Sequence, residues 1–491
     1  MTIVTANLCW GLHQVSWQRW LTTLLVLGLC VTQLTLPLAA QTTTATSKTT
    51  APISEAALLR QVKAYVGQRV AEEKFSGALL IAKDGKPLLK QAFGLASIAY
   101  GVPNQVDTKF NLGSMNKMFT AVAIAQLAEA GKLAYDDPIA VHLPDYPNRD
   151  VAAKVTIHHL LTHMSGLNDY FNEKFDEASR ARFRTVQDFF PLFVDDPLQF
   201  EPGSQWSYSN SNFIVLGAII EALSGQDYFA YIRQHIYQPA GMINSDAYAM
   251  DRETPNLAMG YTRNPGETEW RNNLYEHVIR GGPAGGGYST VEDLLRFAQA
   301  LTQHQLLTPE STTLLTTGKV KLPGSDGAEY GYGFGVEMVN GHRRFGHNGG
   351  FTGINSELQI YPDLGYVVAV MSNYDPPAAS RVAERIGKLI TGSPIPQPIS
   401  LPAEEMVKYA QSYVRSGEGP GPDALTLTAE EDALWLTVGE ERHRFLPLST
   451  AEFYDEDAEE VRMKFTLDAQ GKPTGFVLEG AAPEPLTFAV E

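Results

Sequence analysis

Apolar and polar positions alternate with two different periods along this chain, and the changes of period mark its elements. From about Ser54 to Glu73, Ala57, Leu58, Leu59, Val62, Tyr65 and Val66 recur at helical spacing. Two apolar runs follow, Ala78–Ala82 and Pro87–Phe93, separated by Asp84-Gly85, a pair that tolerates the positive φ of a tight hairpin turn. No strand pattern of similar strength recurs for over 200 residues, and the intervening segments read as helices and loops. Strands return together at Gly333–Asn340, Arg343–His347, Ile354–Tyr361 and Tyr366–Ser372, and an amphipathic helix, about Ala378–Ile390, closes the series. This predicts an α+β domain over residues 54–392. Its antiparallel sheet of about five strands is drawn from both ends of the segment, is flanked by helices, and has an all-helical region inserted between.

Pro394, Pro396, Pro398 and Pro402 make residues 393–403 a stiff extended linker. Beyond a short helix near Glu404–Tyr413, strand-like runs recur at Leu425–Thr428, Leu434–Val438, Arg444–Leu448, Arg462–Leu467 and Gly475–Leu478. Residues 404–491 therefore read as a small all-β domain, barrel-like or sandwich-like. Charge sharpens that boundary: the 491-residue chain carries −17, and residues 401–491 hold 7 basic against 19 acidic side chains. A phosphate-binding footprint needs the opposite sign, so nucleic acid is excluded as an expected partner.

The amino-terminal 40 residues contain one charged side chain, Arg19, then the apolar run Leu24–Val31 and the exit Leu38-Ala39-Ala40. That is the layout of a secretory signal peptide cleaved near Ala40, followed by a Thr-rich tether over 41–53. The apolar run is shorter than the roughly 20 residues a membrane anchor needs, and Leu29 is too bulky before a lipid-attachment Cys30. The expectation is an exported protein, periplasmic or secreted, with no stable membrane insertion. Both cysteines, Cys9 and Cys30, lie in the leader. The processed chain would then have no disulfide, thiolate metal site or cysteine nucleophile.

Three segments carry candidate chemistry. Asn111-Leu112-Gly113-Ser114-Met115-Asn116-Lys117 opens a helix that is apolar on almost every face and ends near Gly131. Ser-x-x-Lys alone arises about once by chance in a chain of this length. On an interior helix, however, Ser114 sits in the first turn with Lys117 on the same side. Desolvation lowers a lysine's proton affinity and the helix N-terminus favours an oxyanion, so a hydroxyl can be activated without histidine. Trp206-Ser207-Tyr208-Ser209-Asn210 precedes a second apolar helix, Phe213–Leu223. Phe345-Gly346-His347-Asn348-Gly349-Gly350 closes a strand. His158, His159 and His163 lack a His-Glu-x-x-His glutamate or a third carboxylate ligand, and read as packing and capping residues rather than a metal site.

Together, and in this order, these motifs resemble those of the serine β-lactamase and penicillin-binding-protein superfamily, nearest its class C-like branch of D-aminopeptidases, D-Ala-D-Ala carboxypeptidases and carboxylesterases. Val155–Leu167, Glu201-Pro202-Gly203-Ser204 and Ala284–Leu294 look like the same family. The resemblance covers about residues 55–392 and implies the β-lactamase/transpeptidase-like fold. It further implies Ser114 as acylated nucleophile, Lys117 as proton partner and Tyr208 as base. Asn210, His347, Asn348 and Gly349 would bind substrate, and the N–H groups of Ser114 and Gly350 would form the oxyanion hole. The family often has Lys-Thr-Gly where this chain has His347-Asn348-Gly349, which argues against efficient β-lactam hydrolysis. The expected activity is a serine hydrolase forming an acyl-enzyme on amide or ester bonds of small-molecule or peptide substrates, D-amino-acid peptides foremost, with no metal or organic cofactor. An esterase and a catalytically silent envelope binding module are the competing readings.

Overall fold

The computed structural model describes residues 53–264, 267–325, 327–417, 421–438, 441–482 and 484–491. The leader and tether lie outside them. The described chain divides into two compact units, residues 53–391 and 392–491.

In the first unit, helix α1 (Glu55–Ala71) starts where the Ser54 hydroxyl accepts the Ala57 N–H, and buries Leu58, Val62 and Val66. Strands β1 (Gly77–Lys83) and β2 (Lys86–Phe93) form a hairpin whose turn residues Asp84 and Gly85 both have positive φ, 48° and 78°. After the helical region come β3 (Val320–Lys321), β4 (Glu329–Tyr330), β5 (Gly335–Val339), β6 (His342–Phe351), β7 (Ile354–Tyr361) and β8 (Tyr366–Ser372). They build one sheet in the order β2-β1-β8-β7-β6-β5-β4-β3, so β1, from the start of the unit, pairs antiparallel with β8 from its end. The sheet has eight strands rather than about five, because two-residue strands extend it past β5. The inserted region is not wholly helical either: Phe110–Asn111 pairs with Tyr288–Ser289, and Tyr261–Thr262 with Arg271–Asn272.

Strand alternation explains how both faces of the sheet are buried. Ala78, Leu80 and Ala82 of β1 join the large core that holds helix α2 (Asn116–Glu129), helix α3 (Asn210–Ser224) and helix α4 (Val291–Thr302). Leu79 and Ile81 point the other way, and α1 packs with helix α5 (Ala378–Thr391) against β7 and β8. Helix α2 is buried from Asn116 through Ala125, so the Ser-x-x-Lys segment opens an interior helix.

The second unit is a closed antiparallel barrel of eight strands: β9 (Ser412–Arg415), β10 (Ala424–Glu430), β11 (Ala433–Val438), β12 (Glu441–Pro447), β13 (Glu452–Asp455), β14 (Arg462–Leu467), β15 (Pro473–Glu479) and β16 (Leu486–Val490). Pairing of Tyr413 with Val490 and Arg415 with Phe488 closes it and removes the free edges. Tyr409, Tyr413, Phe453, Phe465, Phe476 and Phe488 fill the interior. Strands β9, β13 and β16 are absent from the sequence pattern, and β9 begins inside the segment expected to be helical.

Candidate active site

The turn carrying Ser114 is held from three directions. Asn111 Oδ1 accepts the Gly113 N–H at 2.9 Å, and Asn111 Nδ2 donates to His277 Nε2 at 2.8 Å. His277 Nδ1 lies 2.6 Å from the Val278 carbonyl, an acceptor only, so Nδ1 carries the proton and Nε2 accepts. Burial pushes His277 down to about 4, keeping it neutral in this role. From the second side, Gly286 donates to the Gly113 carbonyl and Leu112 to the Gly287 carbonyl. From the third, Ser356 Oγ donates to the Leu112 carbonyl at 2.6 Å, and a Cβ on Gly113 (φ 51°) would sit 2.9 Å from the Gly350 nitrogen. Only a residue without Cβ permits that approach. Ser114 itself lies in a 3₁₀ turn, Gly113–Met115, and α2 begins at Asn116.

Lys117 is completely buried, and its Nζ donates to Asn210 Oδ1 at 2.7 Å and the Ala284 carbonyl at 2.6 Å. The same nitrogen stands 4.8 Å from the Tyr208 ring centroid and 5.5 Å from that of Phe213. On the Tyr208 ring stacks His163, at 4.2 Å and 29°. His163 Nδ1 accepts the Ser209 N–H at 3.2 Å, which fixes the tautomer protonated at Nε2. Burial first, then the Lys117 charge, hold His163 well below its ordinary range. Asn210 is the first residue of α3, three residues earlier than the sequence pattern places the helix start. Its backbone N–H and its Nδ2 both donate to Asp169 Oδ2, at 3.0 and 2.9 Å.

The third motif closes β6, which runs on to Phe351, four residues past the end that the sequence pattern gives the strand. Beyond Gly346, β6 pairs only with β7, as Gly349 with Ser356 and Gly350 with Asn355. The Ser114 turn packs against this stretch, and a Cβ on Gly349 would collide with the Leu112 carbonyl. His347 is 1% exposed. Its Nδ1 donates to the Asn348 carbonyl at 2.5 Å and its Nε2 accepts from the Tyr330 hydroxyl at 2.9 Å. Burial and the Lys117 charge lower His347 to about 3. Expected from sequence to touch substrate, His347 instead has protein partners at both ring nitrogens and is neutral.

A pocket opens beside Ser114, lined also by Asn210, Gly350, Phe351, Tyr170, Phe171, Phe175, Glu276, Val278 and Ile354. Ser114, Lys117, Tyr208, Asn210 and the Gly349-Gly350 backbone thus belong to one locality, whereas His347 and Asn348, expected to bind substrate, lie in β6 and are not among the residues lining the pocket. The sequence reading missed Asp169, His277 and the support Asn111 gives Gly113. Asn111 lies within the first motif and Asp169 two residues beyond Leu167, whereas His277 has no local signal. The other two histidines are structural: His159 Nδ1 accepts the Thr156 N–H at the start of a short helix, and His158 bonds the Tyr332 hydroxyl. Among the described residues, no cluster of three metal-binding side chains occurs, and no single helix is long and apolar enough to cross a membrane.

Residues 62–392 match the family described as Beta-lactamase. Penicillin-binding protein 4* of Bacillus subtilis (strain 168) is 29% identical over 437 residues, covering 84% of this chain and 95% of its own. Esterase EstB of Burkholderia gladioli is 29% identical over 316 residues, 58% of this chain and 80% of its own. The crystal structure of a penicillin binding protein from Bacillus halodurans superposes with a TM-score of 0.60 at 35% identity, covering 66% of this chain and 98% of that one.

Proposed function

The chain belongs to the Beta-lactamase family and is a serine hydrolase, and from that premise we propose that Ser114 is its nucleophile, with Lys117 and Tyr208 as the activating pair. The observation that carries this reading is the buried Lys117 amine seated against the Tyr208 ring, three residues along from Ser114. A free phenol titrates near 10, and an adjacent cation favours its ionised form. In the proposed reaction, Tyr208 takes the Ser114 proton as Oγ bonds to the carbonyl carbon of an amide or ester. The proton passes to the leaving nitrogen or oxygen as that bond breaks. A water then gives its proton to Tyr208 and its oxygen to the acyl carbon, releasing the acid and restoring Ser114. The backbone N–H groups of Ser114 and Gly350 are the donors for the transient oxyanion.

The pocket narrows the substrate. Seven of the sixteen residues lining it are aromatic or aliphatic and four are glycines, Glu276 is the one charged residue among them, and His347 is neutral. A substrate carboxylate would therefore meet no cation there, whereas an apolar acyl group, uncharged or bearing an amine, would be accommodated. D-Amino-acid amides and peptides of that kind are the proposed substrates, with only weak action on β-lactams. The apolar wall and the likeness to Esterase EstB favour small carboxylic esters as the second reading. Export to the periplasm or medium belongs to the same proposal, on the amino-terminal pattern. The test is a panel of short-chain chromogenic esters, D-amino-acid amides and a chromogenic cephalosporin, run with the wild type and Ser114→Ala. Turnover of the amides above the cephalosporin, lost in the variant, is expected. Turnover that survives Ser114→Ala would overturn the assignment.

A further inference from the structure

Asn210 presents two chemically different ends of one amide, and only one arrangement satisfies its neighbours. Lys117 Nζ is a donor and requires an oxygen, found at Oδ1 at 2.7 Å. A carboxylate is acceptor-only when ionised, and Asp169 Oδ2 takes the Nδ2 end at 2.9 Å. The same oxygen accepts the Asn210 backbone N–H at 3.0 Å, while Asp169 Oδ1 accepts the Phe171 N–H at 3.0 Å. Asp169 therefore ties both the backbone and the side chain of Asn210, and does so at the N-terminus of the 15-residue α3, where the Ser209 side chain forms no cap. Carboxylate, amide and amine form a continuous chain: Asp169 Oδ2, Asn210 Nδ2, Asn210 Oδ1, Lys117 Nζ.

The charge environment gives that chain a second consequence. The titratable groups around Lys117 are Ser114 in the turn before α2, Tyr208 beside α3, His163 from the loop stacked on Tyr208, His347 from β6 with Tyr330 against both histidines, and Asp169 through Asn210. Both histidines are neutral, so Asp169 is the one carboxylate in this set. Tyr170 adjoins it, and burial raises that phenol and keeps it uncharged. Burial also raises Asp169, against which its three N–H donors and the Lys117 charge act.

We propose that Asp169 is a positioning residue for acylation of Ser114: its carboxylate locks the Asn210 amide with Oδ1 toward Lys117 and supplies the counter-charge that retains the Lys117 ammonium at the site. This rests on Ser114, Lys117 and Tyr208 being the acylating group. Asp169→Asn removes the charge at nearly constant shape, and Asp169→Glu keeps it. The measurement is the rate at which a fluorophosphonate adds to each full-length variant, read by intact mass from pH 5 to 10, with a thermal melt alongside.

Removing a negative charge lowers the proton affinity of the neighbouring amine. The alkaline limb of the Asp169→Asn profile should therefore move to lower pH by about half a unit or more, with the neutral rate down about tenfold. Asp169→Glu should recover the limb. A wild-type profile in Asp169→Asn overturns the proposal. So does a slower rate with an unmoved limb that tracks a lowered melting temperature, because that is a purely structural role. If the wild type takes up no label at Ser114, the underlying reading fails, and the proposal with it.

Discussion

The hydrolase unit and the barrel differ in what they bury beside their apolar cores. The barrel core is mostly hydrocarbon and aromatic ring, with Asp455 as a buried carboxylate bonded to His443: Phe476 stacks on Phe488 at 5.0 Å and meets Tyr413 edge-on at 4.9 Å. Many of its charges pair on the strand exteriors, as Arg444 does with Asp432 and Glu456, and Lys464 with Glu479. The hydrolase unit buries Lys117, Asn210, His163, His277 and His347. Burying such groups costs several kcal/mol each unless partners compensate. The lesson is that the polar groups buried in the first unit gather around Ser114 and are held there by one another's hydrogen bonds, whereas the barrel keeps most of its charged pairs on its strand exteriors.

The sharpest way to break this contrast is Lys117→Met. Removing one member of a buried, hydrogen-bonded charge set leaves its partners uncompensated and costs about 3–5 kcal/mol, and here Asn210 Oδ1 and the Ala284 carbonyl lose their donor. Acylation at Ser114 should fall by about a thousandfold or more in protein whose melt shows it folded at the assay temperature. A folded Lys117→Met protein that still acylates within about tenfold of wild type would mean that Lys117 is mainly structural. Next in size, Phe476→Ala should remove about 3–5 kcal/mol from the barrel, measured by urea unfolding followed through barrel fluorescence. A loss below about 1 kcal/mol would show that the aromatic core does not carry the barrel.

A smaller effect tests the histidine buttress behind Ser114. His277 titrates near 4 when folded against about 6.5 when unfolded, so between those values the unfolded chain binds more protons. Its contribution is complete above about pH 6.5 and declines as the pH falls towards 4, by about 3 kcal/mol in all. His277→Gln keeps an acceptor for Asn111 without that titration, and should flatten the acid side of the stability profile measured by denaturant midpoints. An unchanged acid slope would contradict a neutral, buried His277.

What the sequence discloses follows from the range of the forces involved. Helix α2 is legible because a helix apolar all round has to be interior, and that alone makes a lysine on it conspicuous. The start of α3 is misplaced by three residues because its cap comes from Asp169, 41 residues away, and not from a local hydroxyl. Strand β6 runs on through Asn348, Gly349 and Gly350, where side-chain preference for extended structure is weak. Cross-strand pairing with Ser356 and Asn355 holds it there instead. Likewise β13, Glu-Phe-Tyr-Asp, is too short to show a strand pattern, and is a strand because β12 and β14 pair on either side of it. His277 supports Ser114 only through a contact between residues 166 positions apart, which no local pattern encodes.

The central claim is that Lys117 and Tyr208 convert the Ser114 hydroxyl into a nucleophile. Its most direct test is the rate of adduct formation at Ser114, by intact mass and peptide mapping, in the wild type and in Tyr208→Phe. The account predicts one adduct per wild-type chain, mapped to Ser114, and a rate about a hundredfold to ten-thousandfold lower in a Tyr208→Phe protein that melts normally. A Tyr208→Phe rate within twofold of wild type, or an adduct on another residue, would contradict it.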